Sequence, residues 1–182
     1  VVFNNEEVGS SSLNCADSDF LATNLKRISK SLGFSNDELS RALVKSYLVS
    51  LDNAHAIHPN HPEMSDNKNN CLINEGVVIK HNSNMLYTSE AISSAIIKLI
   101  ASKENISLQT FFNRADARGG STLGNISLTH VSIRSVDLGI PQLAMHSNYE
   151  VMGSKDTINA YKLLKALFNS KIKIEGENVT II

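Results

Sequence analysis

The sequence predicts an α/β fold: a mixed, mostly parallel sheet with helices on both faces, a three-layer sandwich. Three observations carry this. Short apolar runs, such as VVIK at 77–80, alternate with longer stretches of helical period. Residues that start and stop helices bracket those stretches. The chain has 182 residues, 42% of them hydrophobic, enough to fill one core between layers.

The elements follow in order. Val1, Val2 and Phe3 open a strand that stops at the adjacent carboxylates Glu6 and Glu7. Asp17 and Ser18 are cap-type residues before Phe20, Leu21, Leu25, Ile28 and Leu32, which share one helical face, and Gly33 supplies the stop. Ser35 and Glu38 form a capping box for a short helix through Leu39, Ala42 and Leu43. The run from Tyr47 to Leu51 reads as a buried strand ending on Asp52. Pro59 and Pro62 then forbid a helix through the histidines nearby.

VVIK at 77–80 is a strand, and SEAISSAIIKLIASKE is an amphipathic helix with Ile92, Ile96 and Leu99 on one stripe. LQTFFNR returns to strand pattern. RGGSTLGNIS is a glycine loop leading to a helix that starts at Ser121 or Thr122. IRSVDLGIP is a strand with its stop, and SKDTINAYKLLKALFN is a last helix. The tail IKIEGENVTII has the pattern of a hairpin around Gly176, Glu177 and Asn178.

Composition narrows the function. A net charge of −1 provides no field for nucleic acid or an anionic membrane. No apolar stretch approaches the ~20 residues that span a bilayer, and no secretory signal is visible. Cys15 and Cys71 lie outside any Cys-x-x-Cys motif, so a reduced, cytoplasmic protein with structural thiols is expected.

In α/β sheets, ligands bind beyond the carboxyl ends of strands. Glu6 and Glu7, Asp52, the Arg118-Gly119-Gly120 loop and His146 each follow a predicted strand. Each alone is most simply a solvated loop residue. Brought together, several carboxylates and a histidine would repel unless a cation neutralised them. Zinc takes such donors, and a second carboxylate near its water can serve as general base. Neighbouring residues of a strand face opposite ways, so Glu6 and Glu7 can divide into a ligand and a base only where the strand ends. His55, His58 and His61 are read as surface groups or groups behind the ligands, since the prolines break their register. Lys80, ending an apolar strand, either anchors a carboxylate or snorkels into solvent.

Six stretches in order, FNNEEVGS, SLDNAHAIHPNHPE, GVVIKHNSNMLYTSE, NRADARGGSTLGNIS, RSVDLGIPQLAMHS and KDT, resemble the aspartyl aminopeptidase/aminopeptidase I family of dizinc metallopeptidases. The likeness runs from Phe3 to about Phe168. It implies a hydrolase of the metalloprotease class that removes the N-terminal residue of peptides. Glu6 is implied as general base, Glu7, Asp52 and His146 as zinc ligands, and His55, Lys80 and Tyr87 as the lining of the substrate pocket. Two zinc ions per site are implied for the complete protein, with a hydroxide bridging them. Lys80 and His55 suggest a preference for an acidic first residue. The family also assembles as a large homo-oligomer, a dodecamer.

Asn53 stands where many relatives carry methionine, a change that touches no ligand. The resemblance covers only the carboxyl-terminal part of the family, somewhat under half. The earlier histidine and bridging aspartate, and the inserted second domain, have no match in this chain. Residues 1–182 are therefore expected to be part of a longer enzyme, inactive by themselves. A scaffold that keeps the fold without a complete site is the alternative, and a deacylase on the same architecture is a third reading.

Overall fold

A computed structural model describes residues 48–60, 69–113, 119–130, 132–175 and 178–181. The opening strand, Glu6, Glu7, Cys15 and the two helices expected between Asp17 and Leu43 lie outside the described residues, as do His61, Arg118 and the turn at 176–177.

The sheet joins β1 (Leu48–His55), β2 (Val77–His81), β3 (Leu108–Phe112), β4 (Ser135–Leu143) and the short β5 (Val151–Met152). Its order is β1-β4-β2-β3, with β5 against the end of β4. β1 runs parallel to β4, and β2 parallel to β3; the two pairs meet antiparallel where Val78 and Ile79 face Gly139 and Leu138. The sheet is thus mixed and mostly parallel, as the sequence predicts.

Alternation along the strands divides the residues between two faces. On one face Val77, Ile79, Val136 and Leu138 are buried beneath α1 (Ala91–Lys103) and α3 (Ser154–Asn169), which add Ile96, Ile97, Ile100, Ala160, Leu163 and Leu167. On the other face Ala54, Val78 and Cys71 form a smaller cluster with Phe111. The short α2 (Leu123–Leu128) seats Gly124 against Asp137, which alternates with Val136 and Leu138 and so faces away from α1 and α3. Helices therefore cover both faces.

Local chemistry explains the helix bounds. The Glu90 side chain accepts from the N–H groups of Ile92 and Ser93, and Ser93 Oγ accepts from the Glu90 N–H, a reciprocal capping box that starts α1. Arg134 secures the same carboxylate at 2.9 Å. Ser93, Ile96, Ile97 and Ile100 form the buried stripe of α1. Leu99 belongs to another side and is 51% exposed, against the expectation. The spacing of 93, 96, 97 and 100 follows one face of a 3.6-residue helix, and 99 lies off it.

Two strands are longer than expected. β1 continues past Asp52 to His55, and β4 continues through Pro141 to Leu143. Pro141 falls between the stretch of β4 paired with β2 and the stretch paired with β5, where a missing N–H is tolerated. The tail forms the expected hairpin, β6 (Ile172–Glu175) against β7 (Asn178–Ile181), with Ile172, Val179 and Ile181 packed on the core.

Candidate functional site

The face of the sheet that carries Ala54 and Val78 also carries Asp52, Lys80 and Asp137, because residues two apart on a strand share a face. Lys80 is buried, yet its ammonium meets the carboxylate of Asp52, whose side chain is 46% exposed. The same Nζ donates to the Asn53 carbonyl at 3.3 Å and lies 4.9 Å from the centroid of the Tyr87 ring. A buried cation requires such partners: carboxylate, carbonyl and aromatic face together replace the water it has lost.

Tyr87 is itself buried and tilts against Phe111, with ring centroids 6.4 Å apart. Burial pushes its phenol above the ordinary value of 10.0, and the charges of Asp52 and Asp137 add to the rise. The phenol therefore stays neutral at neutral pH, with its ring beside Lys80.

His55 ends β1 opposite Gln142 of β4, and His146 follows β4 by three residues. The two histidines thus meet at the carboxyl end of the parallel β1/β4 pair. Loss of water holds the His55 imidazole below its usual 6.5, and the charges of His146 and Lys80 lower it further. His146 is exposed in a turn where both Ala144 (φ 53) and His146 (φ 70) adopt left-handed backbone. Such conformations are unfavourable for residues other than glycine, and they concentrate at functional sites. The His146 N–H donates to Glu150 Oε1 at 2.5 Å, which helps hold the turn.

Asp52, Lys80, Tyr87, His55 and His146 are thus neighbours, while Glu6 and Glu7 lie outside the described residues. The expected route to this convergence needs correction. Asp52 lies within β1 rather than beyond its end, and β2 runs opposite to β1, so the group gathers on a sheet face as well as at a strand end. Cys71 is buried with its thiol pushed up to about 12 and donates weakly to the Thr110 carbonyl, the behaviour of a structural thiol.

Sequence reasoning passed over Asp137. It is fully buried and its Oδ2 accepts from the Thr88 N–H at 2.6 Å and from the Thr88 hydroxyl at 2.9 Å. Ser89 Oγ donates to the Asp137 carbonyl at 3.3 Å and accepts from the Asp137 N–H at 2.9 Å. From the other side Asn125 Nδ2 donates to the carbonyls of Leu86 at 2.7 Å and Met85 at 3.1 Å. The available signal was a carboxylate inside the apolar run SVDLGIP, since a buried carboxylate must find donors.

The fold is that of solved M18 aminopeptidases. A crystal structure of an M18-family aminopeptidase from Thermotoga maritima superposes with a TM-score of 0.65 at 19% identity, covering 84% of this chain and 35% of that one. The cryo-EM structure of the Ape4 and Nbr1 complex superposes with a TM-score of 0.72 at 40% identity, covering 90% and 31%.

The family follows from the sequence match. The model of the aminopeptidase I zinc metalloprotease (M18) family matches residues 1–168, and the chain belongs to that family. It is 47% identical over 169 residues to a probable M18 family aminopeptidase 2 of Clostridium novyi, covering 93% of this chain and 39% of that protein. It is 39% identical over 180 residues to a probable aspartyl aminopeptidase of Ricinus communis, covering 96% and 37%. The chain spans about two fifths of the length of these relatives.

Zinc accepts carboxylate oxygen and imidazole nitrogen, so Asp52 and His146 fit it in kind. Among the described residues no three His, Cys, Asp or Glu side chains gather closely enough to hold a metal ion, and one Asp52 oxygen is engaged by Lys80. A complete set needs donors beyond these residues.

Proposed function

We propose that this chain is the carboxyl-terminal part of the catalytic domain of a zinc-dependent aminopeptidase, which removes the first residue of peptides and favours acidic Asp or Glu there. The observation that carries the reading is the buried Lys80, flanked by Tyr87 and His55 and set beside a half-exposed Asp52. Asp52 partners the Lys80 ammonium here; once Asp52 turns to zinc in the complete site, the buried ammonium is left to receive another carboxylate. The side chain of an acidic first residue supplies such a group, and the low-lying pKa of His55 leaves a neutral imidazole beside it.

The roles divide accordingly. Glu7, Asp52 and His146 hold zinc, with two ions per site in the complete protein. When bound, zinc lowers the pKa of its water toward ~7 and polarises the peptide carbonyl. Glu6 takes a proton from the attacking water and returns it to the departing amine. Lys80, Tyr87 and His55 bind and orient the first residue.

The complete protein forms a large homo-oligomer. One solved relative, the mApe1 dodecamer of S. cerevesiae, supports that reading: it superposes with a TM-score of 0.58 at 26% identity, covering 68% of this chain. The protein works in the cytoplasm. What supports this is Cys71, a free thiol of the kind a reducing compartment keeps.

Two substitutions in the complete enzyme test the assignment. Glu6→Gln abolishes turnover of Asp-, Glu- and Leu-anilides while zinc content, read by atomic absorption, is unchanged. Glu7→Gln lowers zinc content. An active Glu6→Gln enzyme overturns the base assignment, and a wild-type enzyme inert to all three anilides overturns the aminopeptidase reading.

A further inference from the structure

Asp137 and Asn125 take no part in the roles above, yet they grip the loop that carries Tyr87 from either side. Four hydrogen bonds attach residues 88 and 89 to residue 137 of β4: two from Thr88 to the carboxylate and two between Ser89 Oγ and the Asp137 backbone. Two more tie residues 85 and 86 to the Asn125 amide, whose Nδ2 also reaches Ser121 Oγ at 3.1 Å. Between these anchors lies Tyr87, its ring 4.9 Å from Lys80 Nζ. Met85 takes a left-handed backbone (φ 56), so the loop is bent into place rather than relaxed there.

The two anchors are linked. A Cβ placed on Gly124, next to Asn125, would stand 3.1 Å from both Asp137 carboxylate oxygens and 3.0 Å from Thr88 Cγ2. The absence of a side chain at 124 therefore lets α2 sit directly over the Asp137–Thr88 contact. Asp137 is fully buried, and among the described residues its Oδ1 has no hydrogen-bond partner. A buried carboxylate is an expensive way to secure a loop, even one whose residues 87–89 are themselves buried; its cost is understandable if the loop must be held to a fraction of an ångström.

We propose that Asp137 and Asn125 are positioning residues: by clamping residues 85–89 they fix Tyr87 against Lys80, and so set the recognition of the substrate's first side chain. The inference rests on the reading of Lys80 and Tyr87 as substrate-binding groups. Neither anchor touches substrate. Both act through Tyr87, which limits the freedom of the Lys80 ammonium and keeps water from it on one side. Loosening either anchor lets the ring swing away, and the acidic side chain loses its oriented partner. A neutral first residue makes no use of that partner.

The test uses the complete enzyme with Asp137→Asn and, independently, Asn125→Ala. Loss of a charge-assisted hydrogen bond should raise KM for Asp- and Glu-anilides by about tenfold, with kcat for both and all parameters for Leu-anilide changed less than about threefold. Thr88→Val, which removes only the hydroxyl donor, gives a smaller shift of the same kind. Equal losses in kcat on acidic and neutral substrates would mean a merely structural role and overturn the proposal. Should the wild type cleave none of the anilides, the substrate reading fails, and the clamp is judged by amide exchange. Loss of protection confined to residues 85–90 in both variants supports it, and unchanged or uniformly lost protection overturns it.

Discussion

Lys80 on β2 reaches the carboxylate of Asp52 on β1 although β4 lies between the two strands. In register, Gly139 of β4 stands opposite both Asp52 and Val78, on the face that Lys80 shares. With no side chain at that level, the long methylene stem of lysine can cross the intervening strand. A sheet face that would otherwise be filled by one more apolar residue thus carries an ion pair.

Lys80→Met keeps the stem and removes the charge. Because Asp52 is 46% exposed, water can solvate its carboxylate once the partner is gone, and stability should fall by no more than about 1 kcal/mol. Recognition of an acidic first residue should suffer far more, with KM for Glu-anilide rising by at least about tenfold in the complete enzyme. Urea unfolding and steady-state kinetics read the two effects separately. An unchanged KM for Glu-anilide would remove Lys80 from the substrate pocket.

Gly139→Ala tests the crossing. The added Cβ would stand 2.6 Å from Ala54 Cβ and 2.9 Å from the Ala54 nitrogen, closer than real contacts allow. β1 must shift away from β4, and overpacking of this kind costs about 1–3 kcal/mol. A matching fall in the midpoint of thermal unfolding is expected. Full retention of stability would show that the β1/β4 spacing is looser than its register indicates.

Much of this architecture was readable because the chain states it locally. The helical period of SEAISSAIIKLIASKE announces α1, the pattern of 154–169 announces α3, and the alternation of strand and helix announces the layers. What the sequence could not convey is non-local. Strand direction depends on the path between elements, so nothing in VVIK shows that β2 runs against β1 and presents Lys80 across a sheet face. Asp137 and Thr88 are 49 positions apart, and no periodicity links them. Leu99 was misplaced because its spacing from Ile92 and Ile96 is also helical, and only packing decides which apolar stripe is covered. Asp52 and His146, the proposed zinc ligands, were marked by their places after predicted strands, and only the resemblance of their motifs gave them that role; by local pattern they are ordinary polar residues.

His81 offers a pH-dependent check on the other side of β2. Its ring stacks on Phe112 at 5.0 Å and lies 3.5 Å from Ser94 Oγ. Burial first, and then the charge of Lys98, hold its imidazole below the ordinary 6.5. A group with a depressed folded pKa binds fewer protons folded than unfolded, so stability rises with pH through that window. The contribution is present above 6.5 and is lost as pH falls through the folded pKa. The ring protons of His81 should titrate with a midpoint below 6.5 by NMR, and His81→Gln should flatten the decline in stability on acidification. A midpoint above 6.5 would contradict the burial of this ring.

Asp156 is the strongest test of what holds α3 to the sheet. It sits in the first turn of α3, fully buried, and its two oxygens accept from the N–H groups of Asn74 at 2.5 Å and Gly76 at 2.8 Å. Asn74 Oδ1 in return accepts from the Lys155 N–H at 3.1 Å. Gly153, at the cap, leaves space for this exchange, since a Cβ there would stand 2.5 Å from both Asn74 Oδ1 and Asp156 Oδ2. The carboxylate also lies at the positive end of the α3 dipole, which favours its charge. Asp156→Ala removes the acceptor and leaves two backbone donors unpaired, a loss of about 2–4 kcal/mol. The urea midpoint should fall accordingly with the slope unchanged, because the folded state keeps its core. Asp156→Asn keeps one acceptor and should lose about half as much. If alanine and asparagine cost the same, the oxygen that asparagine retains contributes nothing, and its contact, at Gly76 or at Asn74, is dispensable.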